Sequence, residues 1–303
     1  MTNHPPVPVL NVRKPDWLKV RFPSQPDYFA VSSLLRKQGL NTICRSAQCP
    51  NRAECWSERT ATFLVLGEVC TRSCAFCAVP KGKPVAPDPD EPARVAEAAA
   101  ALGLRYVVVT SVTRDDLLDG GAGHFAAVVR ALRARIPGVG VEILVPDFGG
   151  LEPPLLTVYE TGPDVLGHNL ETVESLYPAI GRKSAHYRRS LDLLRRAKDL
   201  GALTKSGLMI GLGETRDEIE KALGDLRRTG CDLLTIGQYL RPSTSHAPVA
   251  RYYTPEEFER LGEEARALGF AGVEAGPLVR SSFHASRLHA ARAGAAGGSA
   301  CAS

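Results

Sequence analysis

Three cysteines fall in the run Cys70-Thr-Arg-Ser-Cys74-Ala-Phe-Cys77, and three more, Cys44, Cys49 and Cys55, lie just upstream. Thiolates are soft ligands that select zinc, copper(I) or iron–sulfur centres, and four of them complete a tetrahedral zinc site or a cubane. Three leave one position open. An open position marks a centre that binds and transforms a small molecule rather than one that only staples a fold. The upstream triad has wider gaps than the C-x-x-C knuckles of most zinc modules. On spacing alone a pair of cysteine-rich zinc folds remains the alternative to iron–sulfur clusters.

Such residues need a scaffold, and the texture of the chain supplies one. The sequence is 303 residues long, 44% hydrophobic and 23% charged, which fits an ordinary globular protein with one large α/β domain or two smaller ones. Residues 1 to about 30 are rich in proline and basic residues without a sustained period and read as an arm laid over a body. From Asp90 onward helical periods alternate with short β-branched runs, as expected for βα units around a parallel sheet. Asp90 is a candidate N-cap, Pro92 sits in the first turn, and Gly103 is the stop signal of the first helix. Strands are expected at 61–66, 106–110, 141–145, 164–167, 205–210, 233–236 and 271–273. Helices are expected at 123–135, 151–160, 172–180, 187–200, 216–229 and 255–268. Seven strands in this rhythm fit an open or complete TIM-like barrel, and a doubly wound sheet fits almost as well. In both, ligands belong at the carboxyl ends of the strands, and the Cys70–Cys77 loop follows directly on the 61–66 strand. The tail beyond Ala293 looks disordered.

The formal net charge is +4, with Arg13, Lys14, Lys19 and Arg21 forming the densest basic stretch. That stretch is either a solvated face or a surface for an acidic partner protein. Basic and aromatic residues do not interleave as in single-strand binding platforms, so nucleic acid is not expected. No apolar run approaches the roughly 20 residues of a membrane span, and Met1–Leu10 has neither the charged nor the apolar region of a secretory signal. A cytoplasmic, reducing location is therefore expected, where grouped thiols bind metal or do redox work. Cys231 reads as a small buried apolar residue and Cys301 as incidental.

The C-x-x-x-C-x-x-C run, with aromatic Phe76 before its last cysteine, resembles the signature of radical S-adenosylmethionine (SAM) enzymes. The Cys44, Cys49 and Cys55 triad narrows the resemblance to the lipoyl synthase family. So do Arg114-Asp-Asp-Leu-Leu-Asp-Gly-Gly121, Gly167-His-Asn-Leu-Glu171, Lys205-Ser-Gly-Leu-Met-Ile-Gly-Leu-Gly-Glu214 and Arg280-Ser-Ser-Phe-His284. These matches run from about Arg13 to Leu288. One departure is Phe283, where the family more often has tyrosine.

The resemblance implies a partial TIM-type (β/α)6 barrel with N- and C-terminal extensions, divided as residues 1–60, 61–275 and 276–303. It implies insertion of two sulfur atoms into an octanoyl chain attached to a lysine of a carrier protein, using SAM and two [4Fe-4S] clusters. Carried over by position, Cys70, Cys74 and Cys77 hold the cluster that binds SAM. Cys44, Cys49 and Cys55 hold a sacrificial auxiliary cluster, with Ser282 as fourth ligand. The implied partners are a glycine cleavage carrier protein or the lipoyl domains of 2-oxoacid dehydrogenases, an electron donor such as ferredoxin or flavodoxin, and an iron–sulfur carrier for cluster repair.

From residue type alone Ser282 is a hard oxygen donor and a poor companion for soft thiolates. Arg280 either favours the anionic ligand set or faces solvent. Phe76, Asn169, Glu171 and Met209 are candidate SAM contacts. For Asn169 and Glu171 a helix cap is the competing role, and for Met209 core packing. Gly207, Gly211 and Gly213 permit close backbone approach or only shape a turn. Asp115, Asp116 and Asp119 either position the acyl-lysine or cap the next helix. A zinc-stabilised protein that binds an acidic partner through its basic arm is the rival from another class, and the tandem βα architecture argues against it.

Overall fold

The computed structural model describes residues 13–20, 25–58 and 60–290. Arg21, Cys301 and the tail beyond Ala293 lie outside the described residues. The elements run α1 (Pro26–Lys37), β1 (Asn41–Thr42), α2 (Ile43–Ser46), α3 (Arg52–Ser57), β2 (Thr62–Val65), α4 (Glu91–Ala101), β3 (Tyr106–Ser111) and α5 (Ala122–Arg135). They continue β4 (Gly140–Leu144), α6 (Glu152–Tyr159), β5 (Val165–Gly167), α7 (Ala185–Asp199), β6 (Thr204–Ile210), α8 (Arg216–Arg228), β7 (Leu233–Gln238), α9 (Pro255–Ala267) and β8 (Gly272–Gly276). The strands join in sequence order, with β1 antiparallel at one edge and β2 to β8 parallel. Six βα units, β2α4 to β7α9, are thus followed by β8, which gives the partial barrel its last strand. The doubly wound alternative is excluded, because its strand order would reverse.

Local chemistry sets the boundaries. Thr215 and Glu218 form a reciprocal capping box at the start of α8, and Thr254 and Glu257 do the same for α9, where Pro255 occupies the first turn. Asp90 precedes α4 but its side chain makes no cap bond. Instead Glu91 turns inward, and its Oε2 accepts from the Leu66 N–H at 2.8 Å and contacts His124 Nε2 at 2.7 Å.

Two expectations need correction. The arm is shorter than 30 residues, because α1 begins at Pro26. The helix expected over 172–180 is only a 3-10 turn at Glu174–Leu176. Glu171 just before it has φ +73° and is paired to β6, its N–H donating to Gly207 O at 3.0 Å and its carbonyl accepting from Met209 N at 2.7 Å. Backbone committed to the sheet cannot begin a helix.

Alternate strand residues, among them Thr62, Leu64, Val108, Thr110, Glu142, Leu144, Gly207, Met209, Thr235 and Gly237, face the barrel interior and line one cavity. Below it the interior is filled by a buried network. Lys205 Nζ lies 2.8 Å from Glu142 Oε1, both side chains 3% exposed, and the Tyr106 hydroxyl donates to Glu142 Oε2 at 3.0 Å. The chain's return after β8 stoppers this end. Leu288 packs on Val165 and Leu233, and the His289 ring sits 5.5 Å from that of Tyr106. Gly272 makes room, since a Cβ there would lie 2.9 Å from both Leu233 and Leu288.

Removing one member of a buried ion pair strands the other's charge, which typically costs about 3–5 kcal/mol. Lys205→Met is therefore expected to destabilise the chain by about that amount. Lys205→Met combined with Glu142→Gln, which keeps an acceptor for Tyr106, should recover more than half. Urea midpoints of the two variants against wild type check this, and equal midpoints for single and double variants would refute it.

Candidate active site

The cavity of about 330 Å³ opens at the carboxyl ends of the strands. Cys70, Cys74 and Cys77 line one wall, Cys44 and Cys49 another, and Val279–Ser282 a third. Cys55 does not reach the lining and stands half-buried on α3 behind Cys44 and Cys49. Every described cysteine is a free thiol. No three His, Cys, Asp or Glu side chains among the described residues converge as ligands of one ion would. A cubane needs no such convergence, because its thiolates sit on separate irons.

The first triad stands on a loop launched by a strained turn. Leu66, at the end of β2, has φ +68°, unusual for a branched side chain. Its N–H is held by Glu91, and its carbonyl accepts from Arg114 Nη1 at 3.2 Å. Gly121 must be glycine here, since a Cβ would lie 2.3 Å from Leu66 Cδ1. The 114–121 motif therefore braces the cysteine loop. Within it, Asp116 pairs with Arg114, and Asp119 accepts from the Gly121 and Gly123 amides at the start of α5. Asp115 receives Arg72, which also reaches Asp147, so one guanidinium ties three loops together. None of these three aspartates lines the cavity, and their recorded bonds brace the loop and cap α5.

Farther along the loop, Ala75 N–H donates to Ile180 O at 2.8 Å and its carbonyl accepts from Ala247 N. His246 donates from Nε2 to Cys77 O at 3.1 Å, and Arg182 Nε donates to Cys74 Sγ at 3.5 Å. The Arg182 guanidinium also lies 5.9 Å from the Phe76 ring. Burial works against the Arg182 charge, but Glu171, Cys74 and Tyr177 outweigh it and hold its pKa above the usual value. Burial, reinforced by Cys74, Glu171 and Cys70, pushes the Cys77 thiol up to about 11. Crowded thiolates of this kind are stable only with a cation among them.

The second triad has the same character. Burial and the neighbouring Cys49 raise Cys44, and burial pushes Cys55 to about 12, helped by Cys44 and Cys49. Cys49 is raised by burial and moderated by the Asn51 backbone, Arg280 and Arg52. The Trp56 indole N–H is buried without a hydrogen-bond partner and is turned toward Cys44, where it favours the thiolate. An orphaned donor facing a thiol fits a site built for an anionic, metal-bound sulfur. Arg280 is half-buried in the cavity wall with Nη1 on Val279 O at 2.6 Å, and its charge favours the Cys49 thiolate, so it does not simply face solvent.

Four candidate SAM contacts, Phe76, Asn169, Glu171 and Met209, all line the cavity. The helix-cap role for Asn169 and Glu171 is excluded, because no helix starts there. Burial raises the Glu171 pKa, opposed by Arg182 and Asn169. Asn169 Nδ2 donates to Ser281 Oγ at 2.7 Å, and that hydroxyl lies 3.0 Å from Asn169 Oδ1. Ser282 also lines the cavity and has no hydrogen-bond partner among the described residues. Phe283 stacks on His284 with ring centroids 3.8 Å apart.

The glycines divide. Gly207 lets Asn169 and Ser281 approach, whereas Gly211 makes room for Gln238 and the Arg251 carbonyl. Gly213 joins the turn in which Glu214 gathers the Gly211 and Leu212 amides. Cys231 is fully buried, as expected.

Sequence reasoning missed Arg72, Arg182, Trp56 and Ser281. Ser281 had a signal, standing next to Ser282 in a quoted motif. Arg182 had none, because it comes to Cys74 from 108 residues away.

Known proteins resemble this chain in sequence and in fold. Residues 64–226 match the family model of the Radical SAM superfamily. The chain is 54% identical over 287 residues to the lipoyl synthase of Rubrobacter xylanophilus, covering 94% of this chain and 89% of the relative. It is 56% identical over 278 residues to that of Caldanaerobacter subterraneus subsp. tengcongensis, covering 91% and 97%. Among solved structures, the FeFe-hydrogenase maturase HydG from Carboxydothermus hydrogenoformans superposes with TM-score 0.57 at 13% identity, over 69% of this chain and 52% of that one. Streptococcus suis SuiB bound to S-adenosylmethionine gives 0.51 at 12%, over 71% and 50%. At such identities the structural likeness speaks to the fold alone.

Proposed function

The chain belongs to the lipoyl synthases of the radical SAM superfamily, and on that premise we propose that Cys70, Cys74 and Cys77 hold the SAM-binding cluster while Cys44, Cys49, Cys55 and Ser282 hold the auxiliary one. The activity is insertion of two sulfur atoms into an octanoyl chain on a carrier protein, with SAM and [4Fe-4S] clusters as cofactors. When bound, the two clusters supply the electron that splits SAM and the sulfide that is inserted, chemistry that no acid or base can perform on an unactivated C–H bond.

The protein's own part is to hold, orient and keep dry. Cys70, Cys74 and Cys77, Cys44 and Cys49 of the second triad, and Ser282 border a single cavity, and this observation carries the reading, because a short-lived radical must meet the sulfur donor without leaving the site. Phe76, Glu171 and Met209 contact SAM. Glu171 offers a carboxyl to its hydroxyl or amino groups, fixed by backbone bonds on both sides. Arg182 orients Cys74 and balances Glu171. Leu64, Val108 and Leu144 give the acyl chain an apolar lining that excludes water.

The finer assignments follow the same logic. Residues 1–60 bring the auxiliary thiols, 61–275 the barrel, and 276–303 the serine ligand. The carrier is a glycine cleavage carrier protein or a lipoyl domain of a 2-oxoacid dehydrogenase. A ferredoxin or flavodoxin donates electrons, and an iron–sulfur carrier rebuilds the spent cluster. Among the described residues no helix is long and apolar enough to cross a membrane, and free thiols throughout fit a cytoplasmic setting.

Anaerobic reconstitution is expected to load about eight irons, and an octanoyl-lysyl peptide with SAM and reductant should gain two sulfurs in mass. Full loading with SAM cleavage but no sulfur gain would overturn the reading. Ser282 is a weak oxygen ligand suited to a cluster that must open. Ser282→Cys is accordingly expected to give a longer-lived auxiliary cluster and several-fold less product. Unchanged turnover, with unchanged iron retention by Mössbauer spectroscopy, would show that ligand lability is irrelevant.

A further inference from the structure

The segment that carries Ser282 is strung between two walls of the cavity. On the auxiliary side Asn51, which lies between Cys49 and Cys55, donates from Nδ2 to Leu278 O at 2.7 Å. On the other side Asn169, just past the end of β5, meets Ser281 through both atoms of its amide, Nδ2 at 2.7 Å and Oδ1 at 3.0 Å. Between them the backbone is pressed against bare glycines. A Cβ on Gly237 would lie 2.1 Å from Val279 O, and one on Gly207 would lie 2.7 Å from Asn169 Oδ1 and 3.0 Å from Ser281 Oγ.

A primary amide has two N–H donors. One of Asn169's goes to Ser281, whose hydroxyl in turn lies against the amide oxygen. Of the two serines that end the Arg280-Ser-Ser motif, Ser281 is therefore committed within the protein and Ser282 keeps a free hydroxyl.

We infer that the Asn169–Ser281 pair is a clasp that holds Ser282 at the auxiliary cluster, so that Asn169 is a positioning residue for that ligand. This rests on Ser282 being the fourth ligand. Through Asn169 the clasp also joins Glu171, at the SAM side, to the segment that completes the auxiliary site.

The test uses the full chain, anaerobically reconstituted, as wild type, Ser281→Ala, Asn169→Ala, the double variant, Gly207→Ala and Ser282→Ala. Iron loss from the auxiliary cluster to a chelator is followed by Mössbauer spectroscopy, with the iron on Cys70, Cys74 and Cys77 as the internal standard for folding. Losing one hydrogen-bonded pair should speed auxiliary iron loss about three- to tenfold in each single variant. The double variant should be no faster than the singles, because both remove the same interaction. Gly207→Ala, which pries the clasp apart without deleting either partner, should show the same loss. Wild-type iron retention in Ser281→Ala, or additive losses in the double variant, would overturn the clasp. Weakened SAM binding in Asn169→Ala with the auxiliary iron kept would likewise overturn it. Unchanged iron loss in Ser282→Ala would instead sink the ligand reading on which the clasp depends.

Discussion

Cys74→Ala is expected to lower deoxyadenosine release by about a thousandfold or more, equivalent to about 4 kcal/mol of barrier, and to lower product formation with it. Cys74 sits at the centre of its loop, is buried, and receives the Arg182 Nε at 3.5 Å. With only two thiolates left, the loop cannot hold a cubane whose fourth iron is free. Arg182 would keep Glu171 as counterion, so the loop itself should persist. Iron content is expected to fall from about eight to about four, while the auxiliary signal remains in the Mössbauer spectrum. Anaerobic chromatography of deoxyadenosine reads the outcome, and release within tenfold of wild type would show that SAM is split elsewhere.

The second large effect dissociates the two halves of the reaction. Cys49→Ala is expected to leave deoxyadenosine release in place and to abolish sulfur gain, by about a thousandfold or more. Cys49 lies in the cavity wall facing Arg280, and its loss takes the auxiliary cluster with it. The Cys70–Cys77 loop draws none of its hydrogen bonds from the Cys44–Cys55 segment, so it should be undisturbed. Mass spectrometry of the octanoyl-lysyl peptide distinguishes the outcomes. A two-sulfur product from this variant would mean that sulfur comes from outside the upstream triad. Together the variants assign radical generation to one wall of the cavity and sulfur delivery to the other.

Much of this architecture was legible because its causes are local. The alternation of β-branched runs with amphipathic periods depends on side-chain spacing within one element, so all seven parallel strands were foreseen. The same holds for the Cys70–Cys77 loop, whose ligand types and spacing lie within eight residues. The 172–180 segment failed for the opposite reason. Its helical pattern lost to hydrogen bonds between Glu171 and the partner strand β6, which no local window contains.

The candidate site divides along the same line. Sequence by itself determined which thiols are available as soft-metal ligands, that a three-cysteine loop offers one ligand fewer than a closed site, and, through the family motifs, which reaction to expect. Only the tertiary structure decided that five of the six clustered cysteines border one cavity, that the three aspartates after β3 brace and cap, and that Asn169 is paired with Ser281. Ligand chemistry is a property of single side chains and of spacing in one loop. Convergence is set by packing between residues far apart in the chain, 112 positions for Asn169 and Ser281 and 227 for Asn51 and Leu278. The shape of the barrel interior brings those residues together, and no local pattern encodes it.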